Sequence, residues 1–254
     1  MTLNTNGKNR VVIVTGAGRG IGVKVAEKFA AEGNRVVVVD LMLERAEVTA
    51  QGIASRGGAA LPLACDVSSS KSVDEMVSSV ITRWGAVDVL VNCAGGYVRP
   101  KMPHETTEEA WDLTIDSNLK GTFLCCRAVL PHMMKQGKGR IINFASNAAR
   151  SVATGLGCEY TAAKAGVTGL TRHLAKEYAP HNILINALAP GPTDVERLRE
   201  NKTEEVFASL SKPIPIGRLG RPEEHAEVVF FMASEGASFM TGATIDNNGG
   251  IIMV

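Results

Sequence analysis

Six short apolar runs, rich in β-branched residues, punctuate the chain: RVVIVT at 10–15, NRVVVVD at 34–40, AALPLACD at 59–66, VDVLVN at 87–92, RIINFAS at 140–146 and ILINALAP at 183–190. Near-continuous runs of this kind predict strands buried on both faces. Between the third and fourth runs, Val73, Met76, Val77, Val80, Ile81 and Trp84 recur at steps of three and four, which predicts a helix, with Ser72 and Glu75 as its capping box. Strand and helix alternating along the chain imply right-handed crossovers and a mainly parallel sheet with helices on both faces, a doubly wound α/β fold. No repeat or linker divides residues 1–254, so one domain is expected. The stretch 191–221 is polar and carries prolines, with a short helical pattern at Thr203 to Leu210. It reads as a mobile insertion near the carboxyl ends of the strands, placed to cover a pocket.

Composition narrows this picture mainly by exclusion. The 254 residues are 45% hydrophobic, enough to fill one substantial core, and the formal net charge of +1 provides no field for nucleic acid or an anionic membrane surface. Five cysteines, an odd number without a C-x-x-C spacing, read as reduced thiols rather than a disulfide framework or zinc site. The amino-terminal MTLNTNGKNR lacks the apolar segment of a signal peptide, and no apolar run is long enough to span a bilayer. A soluble, cytoplasmic protein is expected.

The first run leads straight into TGAGRGIG, residues Thr15 to Gly22, and then an amphipathic pattern carrying Val25, Phe29 and Ala30. Strand, glycine turn and helix in that order bring backbone N–H groups and a helix amino terminus to a pyrophosphate. The spacing is not G-x-G-x-x-G, and the absence of a following Gly-Lys-Ser/Thr excludes a Walker A loop. Asp40, which ends the second run 18 residues beyond Gly22, is placed to accept hydrogen bonds from ribose hydroxyls. Its charge opposes a 2′-phosphate and favours NAD over NADP. Arg19 argues for the phosphate, but Leu41, Met42 and Leu43 offer Asp40 no basic neighbour.

In EYTAAKAG, Glu159 to Gly166, a tyrosine and a lysine stand four apart, so on a helix Tyr160 and Lys164 share one face. Such a pair is commonly structural, but Ser146 closes the fifth run, NCAGG at 92–96 closes the fourth, and Asn118 lies in SNLKG within a long helical pattern. All of these converge on one sheet edge.

Taken together, TGAGRGIG, NCAG, Asn118, Ser146, YTAAK and the later Pro190–Gly191 resemble the short-chain dehydrogenase/reductase family over nearly the whole chain. GRLGRPEEHA at 217–226 and TGATIDNNGG at 241–250 resemble its branch containing the 3-oxoacyl-carrier-protein reductases. The resemblance implies a Rossmann-fold oxidoreductase that interconverts a secondary alcohol and a ketone by hydride transfer, assembled as a homotetramer through paired long helices and carboxyl-terminal strands. It implies that Tyr160 is the general acid/base, Lys164 lowers its pKa and holds the nicotinamide ribose, Ser146 orients the substrate oxygen and Asn118 supports a relay water. By the same resemblance Gly16, Arg19, Gly20, Ile21 and Gly22 hold the dinucleotide, Asp66 and Val67 contact adenine, Asn92, Ala94 and Gly95 line the cofactor cleft, and Pro190 and Gly191 flank it. The physics agrees. Moving a tyrosine from about 10 to about 7 takes roughly 4 kcal/mol, and a cation at about 4 Å supplies that at an effective dielectric of about 20 but only about 1 kcal/mol in water. The cleft must therefore be partly dry, which closure of the insertion would deepen.

The chain departs from the family pattern in three places. Cys93 stands where the family often has a second asparagine; Ser146 precedes Tyr160 by fourteen residues, one more than the commonest spacing, which enlarges a loop holding Arg150, Gly155 and Gly157; and Val195 replaces a threonine that contacts the nicotinamide carboxamide in many relatives, leaving Thr193 as the substitute. Arg99, Lys101, Arg150 and His104 are candidates for binding an anionic substrate, against the plainer reading of solvated charge. Cys158 is a candidate thiol beside Lys164, against inert packing. No histidine spacing suggests a metal. The apolar tail IIMV suggests burial against another subunit, the alternative being packing onto the last strand. A small polyol, sugar or hydroxy acid is favoured as substrate, because Asp40, and Pro131 in a helix that relatives make basic, weaken an NADPH-dependent acyl-carrier-protein ketoreductase. The competing class is a non-catalytic dinucleotide sensor or scaffold.

Overall fold

In the computed structural model, which describes residues 8–98, 100–151, 155–199 and 203–254, all six apolar runs become strands. They are β1 (Val11–Thr15), β2 (Arg35–Asp40), β3 (Ala59–Ala64), β4 (Val89–Asn92), β5 (Gly139–Phe144) and β6 (Ile183–Pro190). A seventh, β7 (Thr244–Asn247), has no apolar run to announce it and joins the edge beside β6. The sheet order is β3-β2-β1-β4-β5-β6-β7, and every ladder is parallel.

The helices are α1 (Gly20–Ala31), α2 (Leu43–Ala54), α3 (Ser70–Trp84), α4 (Glu108–Ile115), α5 (Gly121–Gln136), α6 (Cys158–Tyr178), α7 (Glu196–Arg199), α8 (Glu204–Ser211) and α9 (Pro222–Met232). Successive strand residues point to opposite faces, so each strand feeds two cores. Val11, Ile13, Leu90 and Ile141 pack with Val77 of α3, Val129 of α5 and Leu174 of α6. Val12, Val14, Val91 and Ile142 pack with Phe29 of α1, Ile53 of α2 and Val229 of α9. Phe29 is fully buried and meets Phe230 edge-on at 5.3 Å; burying one such side chain stabilises the fold by about 1.5–3 kcal/mol.

Three local expectations need correction. The cap of α3 is Ser69, whose side chain accepts from the Ser72 N–H at 3.4 Å, while the Ser72 hydroxyl accepts from the Asp66 N–H. The helix thus starts earlier than its apolar face, because Ser70 and Lys71 complete a polar first turn. The long helix around Asn118 is interrupted by a wider π-helical turn, Asp116–Lys120, between α4 and α5. The apolar tail packs only in part: Ile251 and Ile252 are half-buried, whereas Met253 and Val254 are each 80% exposed, and Phe239 is fully exposed.

Candidate active site

At the switch point between β1 and β4 the chain leaves the sheet toward opposite sides, and the carboxyl ends of the strands open there onto a cavity of about 600 Å³. Thr15 ties the two strand ends together, its hydroxyl accepting from the Ala94 N–H at 3.1 Å and donating to the Val91 carbonyl at 3.4 Å.

Gly16, Arg19, Gly20, Ile21 and Gly22 form one end of the cavity. Helix α1 begins at Gly20 with no side-chain cap and no acidic residue in its first turn. Its N–H groups, at the positive end of the helix dipole, therefore face the cavity without a side-chain acceptor, which suits a pyrophosphate. A Cβ on Gly18 would lie 2.6 Å from Asp40 Oδ2; lacking one, Gly18 donates its N–H to that oxygen at 3.1 Å. Met42 N–H donates to Oδ1 at 3.1 Å, so the Asp40 carboxylate is fixed with lone pairs to spare on the cavity wall. Arg45 of α2 lines the same end, and its Cβ would also lie 2.6 Å from a Cβ placed on Gly18. Residues 41–43 offer Asp40 no basic partner, but Arg45, within the next helical turn, brings one to the same wall.

Asp66, Val67, Ala94, Gly95, Pro190, Gly191 and Thr193 line the cavity as well. Asn92 does not. In register with Asn143, it turns sideways within the sheet and donates its amide to Asn143 Oδ1 at 2.9 Å, which Asn143 continues to Thr171 at 3.0 Å. Strand alternation decides this: Ala94 and Gly95, beyond the strand end, take the cavity side instead.

Asn118 is fully buried behind the wall in the π turn, donating to the Gly96 and Thr114 carbonyls at 2.6 and 2.8 Å and accepting from the Gly96 N–H at 3.2 Å. Gly95, at φ +136°, lies against its Oδ1 where any side chain would collide. Ser146 lies two residues past β5 and caps a short 3₁₀ turn, accepting from the Ala148 N–H and donating to Asn147 Oδ1, both at 3.1 Å. Tyr160 and Lys164, one turn apart on α6, complete this wall. Lys164 is only 4% exposed; its Nζ donates to the Phe144 carbonyl at 2.7 Å and stands 5.6 Å from the Tyr160 ring centre. Burial pushes its ammonium down to about 8. Tyr97 meets the Tyr160 ring edge-on at 5.5 Å.

Ser146, Tyr160, Lys164 and the glycine turn thus share one cavity, with Asn118 behind it. A family model described as enoyl-(acyl carrier protein) reductase matches residues 16–252. The chain belongs to the short-chain dehydrogenase/reductase family. It is similar to the short-chain reductase protein NovJ of Streptomyces niveus, 41% identical over 94% of this chain and 93% of that protein. It is 37% identical to the 3-oxoacyl-[acyl-carrier-protein] reductase FabG of Thermotoga maritima, over 97% of this chain and 99% of that one. A short-chain type dehydrogenase/reductase from Mycobacterium marinum superposes with a TM-score of 0.92 at 33% identity, covering 97% of each chain. As a member of this family the protein is an oxidoreductase.

Within this short-chain dehydrogenase/reductase, the anion-binding candidates fare differently. Lys101 and His104 are exposed away from the cavity, and Arg99 is outside the described residues. Arg150 is exposed, as the plainer reading of solvated charge expects, and does not line the cavity; it pairs with Asp246 at 3.5 Å and donates to the Thr244 carbonyl at 3.2 Å, both on β7. Cys158 is exposed, with its Sγ 3.8 Å from Glu159. The thiol under the influence of Lys164 is Cys93, which burial pushes up to about 12 against that positive charge.

Thr193 leads to a residue that the sequence holds within GRLGRPEEHA, without a role assigned to it. His225, 2% exposed on α9, accepts at Nδ1 from Asn247 Nδ2 at 3.0 Å. Its Nε2 then carries the proton in the neutral ring and donates to Thr193 Oγ1 at 2.8 Å, which donates onward to the Gly191 carbonyl at 2.9 Å. Burial lowers His225 to about 4 from its ordinary 6.5. The unfolded chain therefore binds a proton that the fold refuses between those values; stability is complete above pH 6.5 and falls as pH drops toward 4, by about 3 kcal/mol. Denaturant titrations of the wild type and His225→Gln at pH 7 and pH 4 should show a smaller acid loss in the variant. Equal losses would contradict the assignment.

Proposed function

We propose that this short-chain dehydrogenase/reductase interconverts a secondary alcohol and a ketone with NAD, Tyr160 handling the proton. The observation that carries this reading is Lys164: an ammonium 4% exposed, with no carboxylate partner among the described residues, beside a phenol in an open cavity. A buried lone cation is costly. Its use is to favour an anion forming next to it, and a phenolate on Tyr160 is that anion. When bound, the nicotinamide gives or accepts the hydride. The uncapped start of α1 holds the pyrophosphate, Asp40 the adenosine ribose, Asp66 and Val67 the adenine, and Thr193 accepts from the carboxamide. Tyr160 takes the proton of the alcohol or returns it to the ketone oxygen, Ser146 orients that oxygen, and Lys164 holds the nicotinamide ribose. Asn118 supports the proton path from behind by fixing the Gly95–Gly96 segment.

The wall formed by Tyr97, Val98, Leu113, Leu156, Leu198 and Leu210 is largely apolar. It suits a hydrocarbon-bearing ketone better than the polyol or sugar that the sequence favours. Leu198 and Leu210 belong to α7 and α8, which supports segment 191–221 as the cover that excludes water. The exposed Phe239, Met253 and Val254 support a homotetramer, and five free cysteines support a cytoplasmic enzyme.

NADP is the second reading, favoured by Arg19 and Arg45 on the wall beside Asp40. The carboxylate decides for NAD, because its repulsion of a 2′-phosphate acts at the site of discrimination. Steady-state assays with both cofactors and a panel of ketones and alcohols should show higher kcat/KM with NADH than with NADPH. Replacing Asp40→Ser should raise kcat/KM for NADPH by about 10- to 100-fold, with the two arginines then unopposed. Preference for NADPH in the wild type would overturn the cofactor assignment. Calorimetric cofactor binding without turnover across the panel would instead support a sensor or scaffold.

A further inference from the structure

At the base of the 191–221 cover the chain closes a circuit of hydrogen bonds around one turn. Asn247, the last residue of β7, accepts the Gly191 N–H on its carbonyl at 3.1 Å and donates its side-chain amide to His225 Nδ1 at 3.0 Å. His225 Nε2 donates to Thr193 Oγ1 at 2.8 Å, and Thr193 closes the circuit on the Gly191 carbonyl at 2.9 Å. The ends of β6 and β7 and the start of α9 are thereby tied to Gly191–Thr193, which lines the cavity. Gly220, at the other end of the cover, pairs with the same turn. Its N–H donates to the Pro192 carbonyl at 3.0 Å and its carbonyl accepts from Asp194 at 2.9 Å, with the imidazole packed so closely that a Cβ on Gly220 would lie 3.1 Å from Nε2.

The fold does not require an imidazole there. Ala226, Val229 and Met232 already seat α9 in the core, and the β6–β7 ladder already joins those strands. Burying a polar ring between polar partners gains little over an apolar side chain of similar shape. Both ring nitrogens are engaged within the protein and the residue is 2% exposed, so His225 meets no ligand itself. Its influence passes through Thr193, whose hydroxyl would otherwise choose among three staggered rotamers.

We propose that His225 is a positioning residue that, through Thr193, holds the turn Gly191–Thr193 in the geometry that receives the nicotinamide carboxamide. The inference rests on the proposed binding mode, in which Thr193 accepts from that group, and adds the residue that keeps it in place. The adenosine half of the cofactor, at the Asp40 end, lies outside the circuit.

The test separates the two halves by calorimetry with NADH and with ADP-ribose, which lacks the nicotinamide. Wild type should bind NADH more tightly than ADP-ribose. His225→Leu should weaken NADH by about 10-fold and leave ADP-ribose within about 2-fold, which also reports that the variant is folded. Thr193→Val should do the same, and the double variant should lose no more than either single, since both break one link. His225→Gln, whose amide can accept from Asn247 and donate to Thr193, should restore NADH binding to within about 3-fold of wild type. Equal losses for both ligands, or losses that add in the double variant, would overturn the proposal and leave His225 a packing residue. So would a His225→Leu that discriminates as well as wild type. A wild type that binds ADP-ribose as tightly as NADH would instead contradict the proposed binding mode, and the role of His225 with it.

Discussion

Tyr160→Phe should lose about 10³-fold in kcat, within the range of about 10² to 10⁴ typical of a general acid or base. The substitution removes one oxygen and keeps the ring, so the edge contact with Tyr97 and the Lys164 cation over its face are both preserved. Cofactor affinity measured by calorimetry should change by less than about 3-fold, because in the proposed binding mode the uncapped helix start and Asp40, at the other end of the cavity, would make most of the contacts. A loss confined to KM, with kcat intact, would mean that Tyr160 only packs against the substrate.

Lys164→Met should produce two opposite effects. Activity should fall by at least about 10³-fold, since the phenolate loses the cation over its ring and the nicotinamide ribose would lose a donor. The cofactor-free protein should become more stable. In the fold the ammonium titrates near 8, against 10.5 ordinarily. Between those values the unfolded chain binds the extra proton, so stability rises with pH there; at pH 7 both states are charged and the burial penalty, about 3 kcal/mol, acts in full. Losing the hydrogen bond to the Phe144 carbonyl returns about 1 kcal/mol of that. A net gain near 2 kcal/mol raises Tm by about 4–8 °C in a chain of this size. A variant that melts below wild type would show that Lys164 stabilises the fold and would remove the argument for a functional burden.

Burial of the strands on both faces makes the sheet legible in the amino-acid pattern alone. Val11 to Val14 all face one core or the other, so the run carries no polar gaps to obscure it. Strand β7 escapes that pattern because Thr244, Asp246 and Asn247 are polar and the strand is held by pairing with β6 at the sheet edge. Asn92 departs from its expected place for a related reason. A motif names a residue but not its side of the pleat, and register with Asn143 turns its amide into the sheet. Tyr160 and Lys164 are readable because helix periodicity fixes their common face, while Arg45 and His225 are not, since each depends on where a helix docks relative to a distant loop.

All of this depends on direct passage of hydrogen between substrate carbon and nicotinamide inside the cavity that Tyr160 and Lys164 border. The direct measurement uses a secondary alcohol that the wild type oxidises, bearing deuterium on its carbinol carbon, with the reduced cofactor isolated afterwards and its mass determined. The account predicts one deuterium on the nicotinamide ring of each product molecule and a slowed turnover for the labelled alcohol. Deuterium recovered in the water, with none on the ring, would contradict it.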